Sequence, residues 1–360
     1  MAMTRTFGAI TALMAGTALT LSAAPAQAAG SYVALGDSYS SGTGTRSYIN
    51  DGTACQRSVY AYPSLVSASK GLTLNFRACS GATVADVTNT QLSALSSSTT
   101  QVSISVGGND AGFADVLTEC AQPGWASDCD GAIDDAQAIV NTTLPGRLST
   151  LYSSIRSKAP NAKVVVVGYP RIFMGEDCNA LTWFSPAEEA RLNATADLLN
   201  SRTASAAAAK GFTFANPTSR FTGHAVCDSV EWLNGLSNPI SDSYHPNVAG
   251  HRDGYAPLVS TPLTGSTLKI SSTTLRTAEA SSTRLADQQK RYAAADSTIE
   301  PKVFRAPDLS SPEIRAAAKR AGVDLSSRAS IDAADREWSQ RQAQQQAQEQ
   351  GATEQESATR

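Results

Sequence analysis

The chain has 360 residues, of which 41% are hydrophobic and 17% are charged, and its formal net charge is −3 at pH 7. A chain of this length can bury one sizeable core and still carry an additional segment. Its 29 Lys and Arg residues are balanced by 32 Asp and Glu residues; it therefore lacks the basic excess that neutralises phosphates, and we expect no nucleic-acid partner.

The first 29 residues are typical of a secretory signal peptide. Arg5 precedes an apolar run of small residues, and Ala26 and Ala28 form a small-x-small cleavage pattern. The alternative, an N-terminal membrane anchor, is disfavoured because the run is short for a bilayer span. We expect cleavage after Ala28 or Ala29 and a secreted, extracellular protein. No later segment approaches the roughly 18 apolar residues of a spanning helix, so stable membrane insertion is not expected.

Residues 30–262 alternate between short strand-like and longer helix-like segments. Two long segments, 132–158 and 185–210, have helical spacing. The alternation predicts one α/β domain with a five-stranded parallel sheet covered on both faces. Ligands of such sheets bind at the carboxyl ends of the strands, so the residues after each strand are candidates for a site. The predicted strands are residues 31–37, 72–78, 101–108, 162–170 and 211–217.

Composition changes after about residue 262. Residues 263–360 are rich in Ser, Ala and Gln and end in a segment with almost no apolar residues. We expect this C-terminal extension to be largely disordered or loosely helical, without chemistry of its own. Within it, Ser311 before Pro312 and Gly322 further on predict the start and the stop of one short helix.

The cysteines support an oxidising compartment. Their number is even, which favours three disulfides. Six cysteines allow 15 pairings, and we favour pairing between neighbours along the chain. A metal site is disfavoured because the sequence has no CxxC motif and only three histidines. The favoured pairs are Cys55 with Cys79, Cys120 with Cys129, and Cys178 with Cys227.

Three predicted strands deliver small or polar residues to one edge of the sheet. Ser38 follows the first strand in GDSYSSG, Gly81 follows the second in CSGAT, and Asn109 follows the third in VGGNDAG. A hydroxyl, a glycine and an amide are the components of a nucleophile with an oxyanion hole.

A nucleophilic serine also needs a base, and His245 is the best candidate. It lies in SDSYHPNVAG, on a loop before an apparent helix, whereas His251 falls within that helix and His224 lies close to Cys227. Asp242, three residues earlier, can accept a hydrogen bond from the ring and fix its tautomer.

The four segments GDSYSSG, CSGAT, GGND and DSYHPN resemble, in order, the signature blocks of the SGNH (GDSL) hydrolase family, and closely those of secreted actinobacterial GDSL lipases and esterases. The resemblance covers most of residues 31–260. One block alone is a weak signal, but four in order at predicted strand ends and loops are specific. The resemblance implies a three-layer, flavodoxin-like α/β sandwich.

The resemblance also implies a role for each matching residue. Ser38 would be the nucleophile and His245 the general base and acid, with Asp242 orienting the imidazole. In some relatives a backbone carbonyl two residues before the histidine takes that place, here the carbonyl of Ser243. The N–H groups of Ser38 and Gly81 and the amide of Asn109 would form the oxyanion hole. No metal or organic cofactor is implied.

The expected activity is hydrolysis of carboxylic esters, with an ester or lipid as the partner and the protein acting as a monomer. Acyl glycerols, phospholipids and short acyl esters are the substrates that the resemblance implies. The alternatives are a carbohydrate O-acetyl esterase of the same family and a secreted binding protein that has lost catalysis. Aromatic residues after the strands are candidates for an acyl groove, Trp125 first among them; the others are Phe113, Phe173, Trp183 and Phe184.

Overall fold

The structure is a computed structural model that describes residues 1–4 and 30–358. Most of the predicted signal peptide, together with its cleavage site, therefore lies outside the described residues.

A five-stranded sheet forms the centre of the protein, and every neighbouring pair of strands is parallel. The order β2-β1-β3-β4-β5 is that of flavodoxin-like folds. The predicted five-stranded parallel sheet is thus confirmed. In this order the chain reverses direction across the sheet between β1 and β3, where such folds bind their ligands. The strands are β1 (Ser31–Gly36), β2 (Thr73–Phe76), β3 (Gln101–Ser105), β4 (Lys163–Val167) and β5 (Thr213–Ala215).

Helices cover both faces of the sheet, which explains why four of the five residues of β4 are buried. The helices are α1 (Ser38–Ser41), α2 (Tyr62–Lys70), α3 (Val84–Asp86), α4 (Phe113–Cys120), α5 (Cys129–Thr142), α6 (Leu144–Lys158), α7 (Pro186–Ala208), α8 (Thr218–Phe221) and α9 (Ala256–Thr264). Short 3-10 or π segments occur at Val87–Gln91, Leu92–Ala94, Gly124–Ala126, Ile240–Asp242 and Gly250–Tyr255. On one face α2 packs against α9, and on the other α5, α6 and α7 pack together. In the described part of the chain, no helix combines the length and the apolar character that crossing a bilayer requires.

The predicted helix over 132–158 is two helices, α5 and α6. Pro145 lies in the first turn of α6, where its missing N–H costs nothing. Inside a continuous helix the same ring would clash with the preceding turn. The proline therefore ends α5 at Thr142 and starts α6 two residues later.

Three disulfides staple the domain, and their pairing between neighbours along the chain is confirmed: Cys55 with Cys79, Cys120 with Cys129, and Cys178 with Cys227. The first ties the segment before α2 to the loop after β2. That loop carries Gly81, so the disulfide restrains a candidate site residue.

The C-terminal extension was expected to be largely disordered or loosely helical. It is mostly helical, and its docking on the domain was not expected. In it, α10 (Ser272–Ala280) packs on α2 and α11 (Ser282–Lys290) on β2, while α13 (Pro312–Ala321) and α14 (Arg328–Ala358) pack on the turn Gly124–Ala126. The predicted short helix is confirmed as α13, which Ser311 caps and Gly322 ends. The extension docks because a few widely spaced apolar side chains are buried within its polar sequence: Leu285, Ile299, Phe304, Ile314 and Ile331. A further short helix of the extension, α12 (Ala293–Asp296), lies between α11 and α13.

Candidate active site

Ser38 is the first residue of α1, directly beyond the carboxyl end of β1. The Asp37 side chain accepts a hydrogen bond from the Tyr39 N–H at 3.0 Å and so caps α1. Gly36 has a φ of 121°, and a Cβ there would lie 2.3 Å from the Ser105 carbonyl oxygen. Only glycine fits this close approach of β1 to β3. This tight turn brings the serine hydroxyl to the carboxyl end of β1, where the strand order reverses between β1 and β3.

His245 forms a hydrogen bond with Ser38 at the other side of the site. Its Nε2 lies 2.8 Å from the Ser38 Oγ, and its Nδ1 lies 2.8 Å from the carbonyl oxygen of Ser243. A carbonyl oxygen only accepts hydrogen bonds, so Nδ1 carries the ring proton. Nε2 is then the acceptor for the serine hydroxyl, which is the arrangement that a general base requires.

Burial keeps this imidazole neutral. Ser38 is 6% exposed and His245 is 7% exposed. Desolvation lowers the pKa of His245 to about 4, although the Ser243 carbonyl and the nearby charge of Asp242 both raise it. At neutral pH the ring is therefore free to take a proton.

The expectation that Asp242 contacts the ring is wrong. The Asp242 carboxylate is fully buried and accepts a hydrogen bond from the Tyr48 hydroxyl at 2.5 Å instead. Tyr244 has a φ of 59°, which turns the backbone between Asp242 and His245. This turn accompanies the contact of the Ser243 carbonyl with Nδ1, the alternative left open by the sequence. Asp242 acts on the imidazole through its charge alone.

The three predicted oxyanion donors lie on neighbouring strand ends. The Asn109 side-chain amide donates to the Ala82 carbonyl at 3.0 Å, which places Asn109 beside Gly81. The second N–H of that amide is left for another acceptor. Within the described residues, neither the Ser38 N–H nor the Gly81 N–H donates to a protein acceptor. The N–H groups of Ser38 and Gly81 and one N–H of the Asn109 amide are therefore left to donate to a substrate oxygen.

Sequence analysis missed Tyr169, which follows β4. Its hydroxyl donates to the Asp37 carboxylate at 2.5 Å, and Ser105 donates to the same carboxylate at 2.6 Å. Burial raises the pKa of Asp37 to about 6, although these donors lower it. The group joins the ends of β1, β3 and β4 directly behind Ser38. The only signal in the sequence was the position of Tyr169 after a predicted strand.

An apolar cavity lies between α4, α5 and α7 and is lined at one end by Tyr39, the residue after Ser38. Tyr39 and Phe113 form its wall next to His245, with ring centroids 5.3 Å and 6.2 Å from the imidazole. Of the aromatic residues proposed from sequence, Phe113 lines this cavity. Its other lining residues include Ala111, Leu117, Val140, Ala196 and Leu199.

The remaining aromatic candidates pack elsewhere. Phe173 and Phe184 contact each other at 4.8 Å between ring centroids. Trp183 donates its indole N–H to Asp332 of the extension at 3.0 Å. Trp125, the favoured candidate, lies on the turn that packs against α13 and α14. These residues serve packing rather than the cavity.

Comparison with known proteins decides the family. Residues 34–252 match the model of the GDSL-like Lipase/Acylhydrolase family. The chain belongs to this family. It is 47% identical to Lipase 1 of Streptomyces coelicolor over 251 residues, which are 69% of this chain and 92% of that protein.

Among the solved structures that resemble this chain, two have a TM-score of 0.62. One is the extracellular lipase of Streptomyces rimosus, 44% identical, and the other is phospholipase A1 of Streptomyces albidoflavus NA297, 45% identical. In both cases 65% of this chain covers the whole of the other chain. The family match and these lipase and phospholipase relatives show that the chain is a carboxylic ester hydrolase. The family match ends at residue 252, before the extension begins.

Proposed function

We propose that this protein is a secreted serine hydrolase that cleaves carboxylic esters of lipids through an acyl-enzyme on Ser38. The observation that carries the proposal is the 2.8 Å hydrogen bond between the Ser38 Oγ and the His245 Nε2, with Nδ1 held by the Ser243 carbonyl. A serine hydroxyl is a weak nucleophile until such a base removes its proton.

The reaction follows from these contacts in two halves. The Ser38 oxygen attacks the ester carbonyl carbon while its proton passes to Nε2 of His245. The carbonyl oxygen becomes an oxyanion that accepts from the N–H groups of Ser38 and Gly81 and from the Asn109 amide. Nε2 then gives its proton to the leaving alcohol, and the acyl group remains on Ser38.

Hydrolysis of the acyl-enzyme repeats these steps with water. His245 takes a proton from the water, which attacks the acyl carbonyl, and then returns a proton to the Ser38 oxygen. While His245 is protonated, the Ser243 carbonyl still accepts from Nδ1. The negative charge of Asp242 stabilises the imidazolium at short range, since it raises the pKa of His245.

The apolar cavity supports a lipid substrate. A chain of CH2 groups bound between α4, α5 and α7 would lose contact with water next to Tyr39 and Phe113, which is favourable by about 0.8 kcal/mol for each buried CH2 group. The relatives described as lipase and phospholipase A1 support the same substrate class. Secretion is supported by the signal-peptide pattern, by the three disulfides and by the extracellular S. rimosus relative.

The test is hydrolysis of p-nitrophenyl esters from acetyl to palmitoyl, with a phospholipid and a triglyceride as natural substrates. The full chain and a chain ending at Thr264 are compared with their Ser38→Ala variants. Activity that depends on Ser38 and peaks at medium or long acyl chains is the expected result. A peak at acetyl, with release of acetate from acetylated polysaccharide, would favour the carbohydrate esterase. Absence of hydrolysis and of labelling by a serine-directed phosphonate in both chain lengths would leave a binding protein.

A further inference from the structure

Part of the extension lies against one residue of the candidate active site, Gly81. Residues 297–305, here called the strap, connect α12 to the loop before α13. A Cβ added to Gly81 would lie 2.4 Å from the Glu300 carbonyl oxygen and 3.1 Å from the Lys302 nitrogen. The strap backbone therefore lies directly on Gly81, one of the proposed oxyanion donors.

The strap also inserts an aromatic side chain against Tyr244, the residue before the catalytic histidine. Phe304 is 4% exposed, and its ring meets Tyr244 edge-on with 4.9 Å between the centroids. Tyr244 directly precedes His245 and also contacts Phe173 and Phe184, at 5.9 Å and 5.8 Å. Phe304 thus completes an aromatic cluster that spans the hydrolase domain and the extension.

A buried ionic cluster anchors the strap at its N-terminal end. Asp296, the last residue of α12, contacts Arg57 at 2.7 Å and Arg77 at 2.6 Å, and all three side chains are fully buried. Arg77 follows β2 and lies four positions before Gly81. Undocking Asp296 would leave the buried charges of Arg57 and Arg77 without this partner, which is energetically costly. This ionic cluster therefore favours the docked state of the strap.

The C-terminal end of the strap is anchored on the opposite side of the site. The Arg305 N–H donates to the Thr118 hydroxyl of α4 at 2.9 Å. Further along, the Gly124 N–H donates to Asp335 of α14 at 2.8 Å. The strap is therefore held at one end by Arg77, which follows β2, and at the other by α4, and between these anchors it lies against Gly81.

We propose that the strap is an autoinhibitory segment that closes the active site until it is displaced or removed. The proposal rests on the proposed function of Ser38. The strap backbone covers Gly81, and in this docked state Ser38 and His245 are both less than one-tenth exposed. A lipid ester has to displace the strap to place its carbonyl between Ser38 and Gly81. The relatives whose whole chains are matched by 65% of this chain fold without a counterpart of the extension.

The test compares the full chain with Phe304→Ala and Asp296→Asn, which release the two kinds of anchor. Asp287→Asn is the matched control, because Asp287 is an exposed residue of the extension whose ion pair among the described residues is with Lys290 of the same helix. The rate of Ser38 labelling by a fluorophosphonate and the hydrolysis of p-nitrophenyl decanoate are measured for each. A chain ending at Thr264 shows the uninhibited rate.

If the open state is a minor population, rates scale with the open fraction, and we expect both anchor variants to gain about tenfold or more. Asp287→Asn should match the parent, and the shortened chain should equal or exceed the anchor variants. Labelling of the full chain as fast as that of the shortened chain would overturn the strap proposal. If neither chain is labelled, the function proposed for Ser38 fails instead. If circular dichroism shows that Asp296→Asn does not fold, the labelling and hydrolysis rates of Phe304→Ala test the strap proposal on their own.

Discussion

At the scale of single residues, His245 has to be neutral to accept the Ser38 proton. Burial lowers the pKa of His245 to about 4, so the ring becomes protonated only as the pH falls through that value. We expect kcat/KM for a p-nitrophenyl ester to stay level from pH 7 to pH 5 and to fall near pH 4. The acid limb of this profile reports the free enzyme's base. Circular dichroism at each pH separates titration from unfolding, and an acid limb near 6.5 would contradict a buried base.

Asp242 provides a second prediction at this scale. It contacts Tyr48 and not the imidazole ring, so Asp242→Asn should leave the ring's tautomer in place. We expect kcat/KM to fall by at most about tenfold, whereas an aspartate that holds the ring directly is worth about 10⁴-fold in serine proteases. Steady-state kinetics with Ser38→Ala as the inactive reference distinguishes the two magnitudes. A loss of the larger size would show that Asp242 takes up the ring contact during turnover.

The residues of the site differ in how far sequence could predict them. Ser38, Gly81 and Asn109 carry motif signals after strands and His245 carries one on a loop, and in the structure His245 meets Ser38 at the edge of the sheet. The oxygen that meets Nδ1 was left open because it depends on a positive φ at Tyr244. Tyrosine rarely adopts this conformation, and nothing in the local sequence marks it.

At the scale of elements, the cavity between α4, α5 and α7 leads to a prediction about acyl chain length. Ala196 on α7 lines the cavity and is partly exposed, so a larger side chain there fills space without overpacking the core. We expect Ala196→Phe to keep acetyl ester hydrolysis and to reduce decanoyl ester hydrolysis about tenfold, the cost of roughly two excluded CH2 groups. The measurement is the ratio of kcat/KM for the two esters.

A control for this change lies on the same helix. Ala190 faces a separate depression on the surface, so Ala190→Phe adds the same ring outside the cavity. The ratio of the two ester activities should stay at the parent value. Equal ratios in Ala196→Phe and the parent would place the acyl chain elsewhere.

The strands were easier to predict than the helices. A central parallel strand is buried on both faces, so its β-branched run is visible without knowledge of the neighbours, as in the Val-rich β4. The break between α5 and α6 was missed because the pattern of apolar residues continues across Pro145. The conformation of short turns such as Ile240–Asp242 depends on tertiary contacts, and three residues are too few to show a periodic pattern in the sequence.

At the scale of the whole molecule, docking of the extension predicts a contribution to the stability of the fold. A chain ending at Thr264 loses the partner of Arg57 and Arg77 and exposes apolar surface on α2 and β2. We expect a lower melting temperature, by about 2–4 °C for each kcal/mol of unfolding free energy lost. Differential scanning calorimetry of both chains at equal pH checks this. An unchanged melting temperature would mean that the extension is not firmly docked.

Docking of the extension is the largest feature that sequence analysis did not predict. Its overall composition is polar, and the few apolar residues that anchor it are diluted by Ser, Ala and Gln. The ion pair between Arg57 and Asp296 joins residues 239 positions apart, a separation over which a single sequence carries no signal. Domain boundaries at 262 and 263 remain a prediction, since α9 runs on to Thr264.

The nucleophile and its base lie 207 positions apart, and the strap follows both. At about 5–20 residues per second, a ribosome makes His245 roughly 10–40 s after Ser38. During that interval the nascent chain carries Ser38 without the base that activates it. A chain that stops between residues 264 and 297 would have a complete but uncovered site, so under the strap proposal premature termination there would release unrestrained lipolysis.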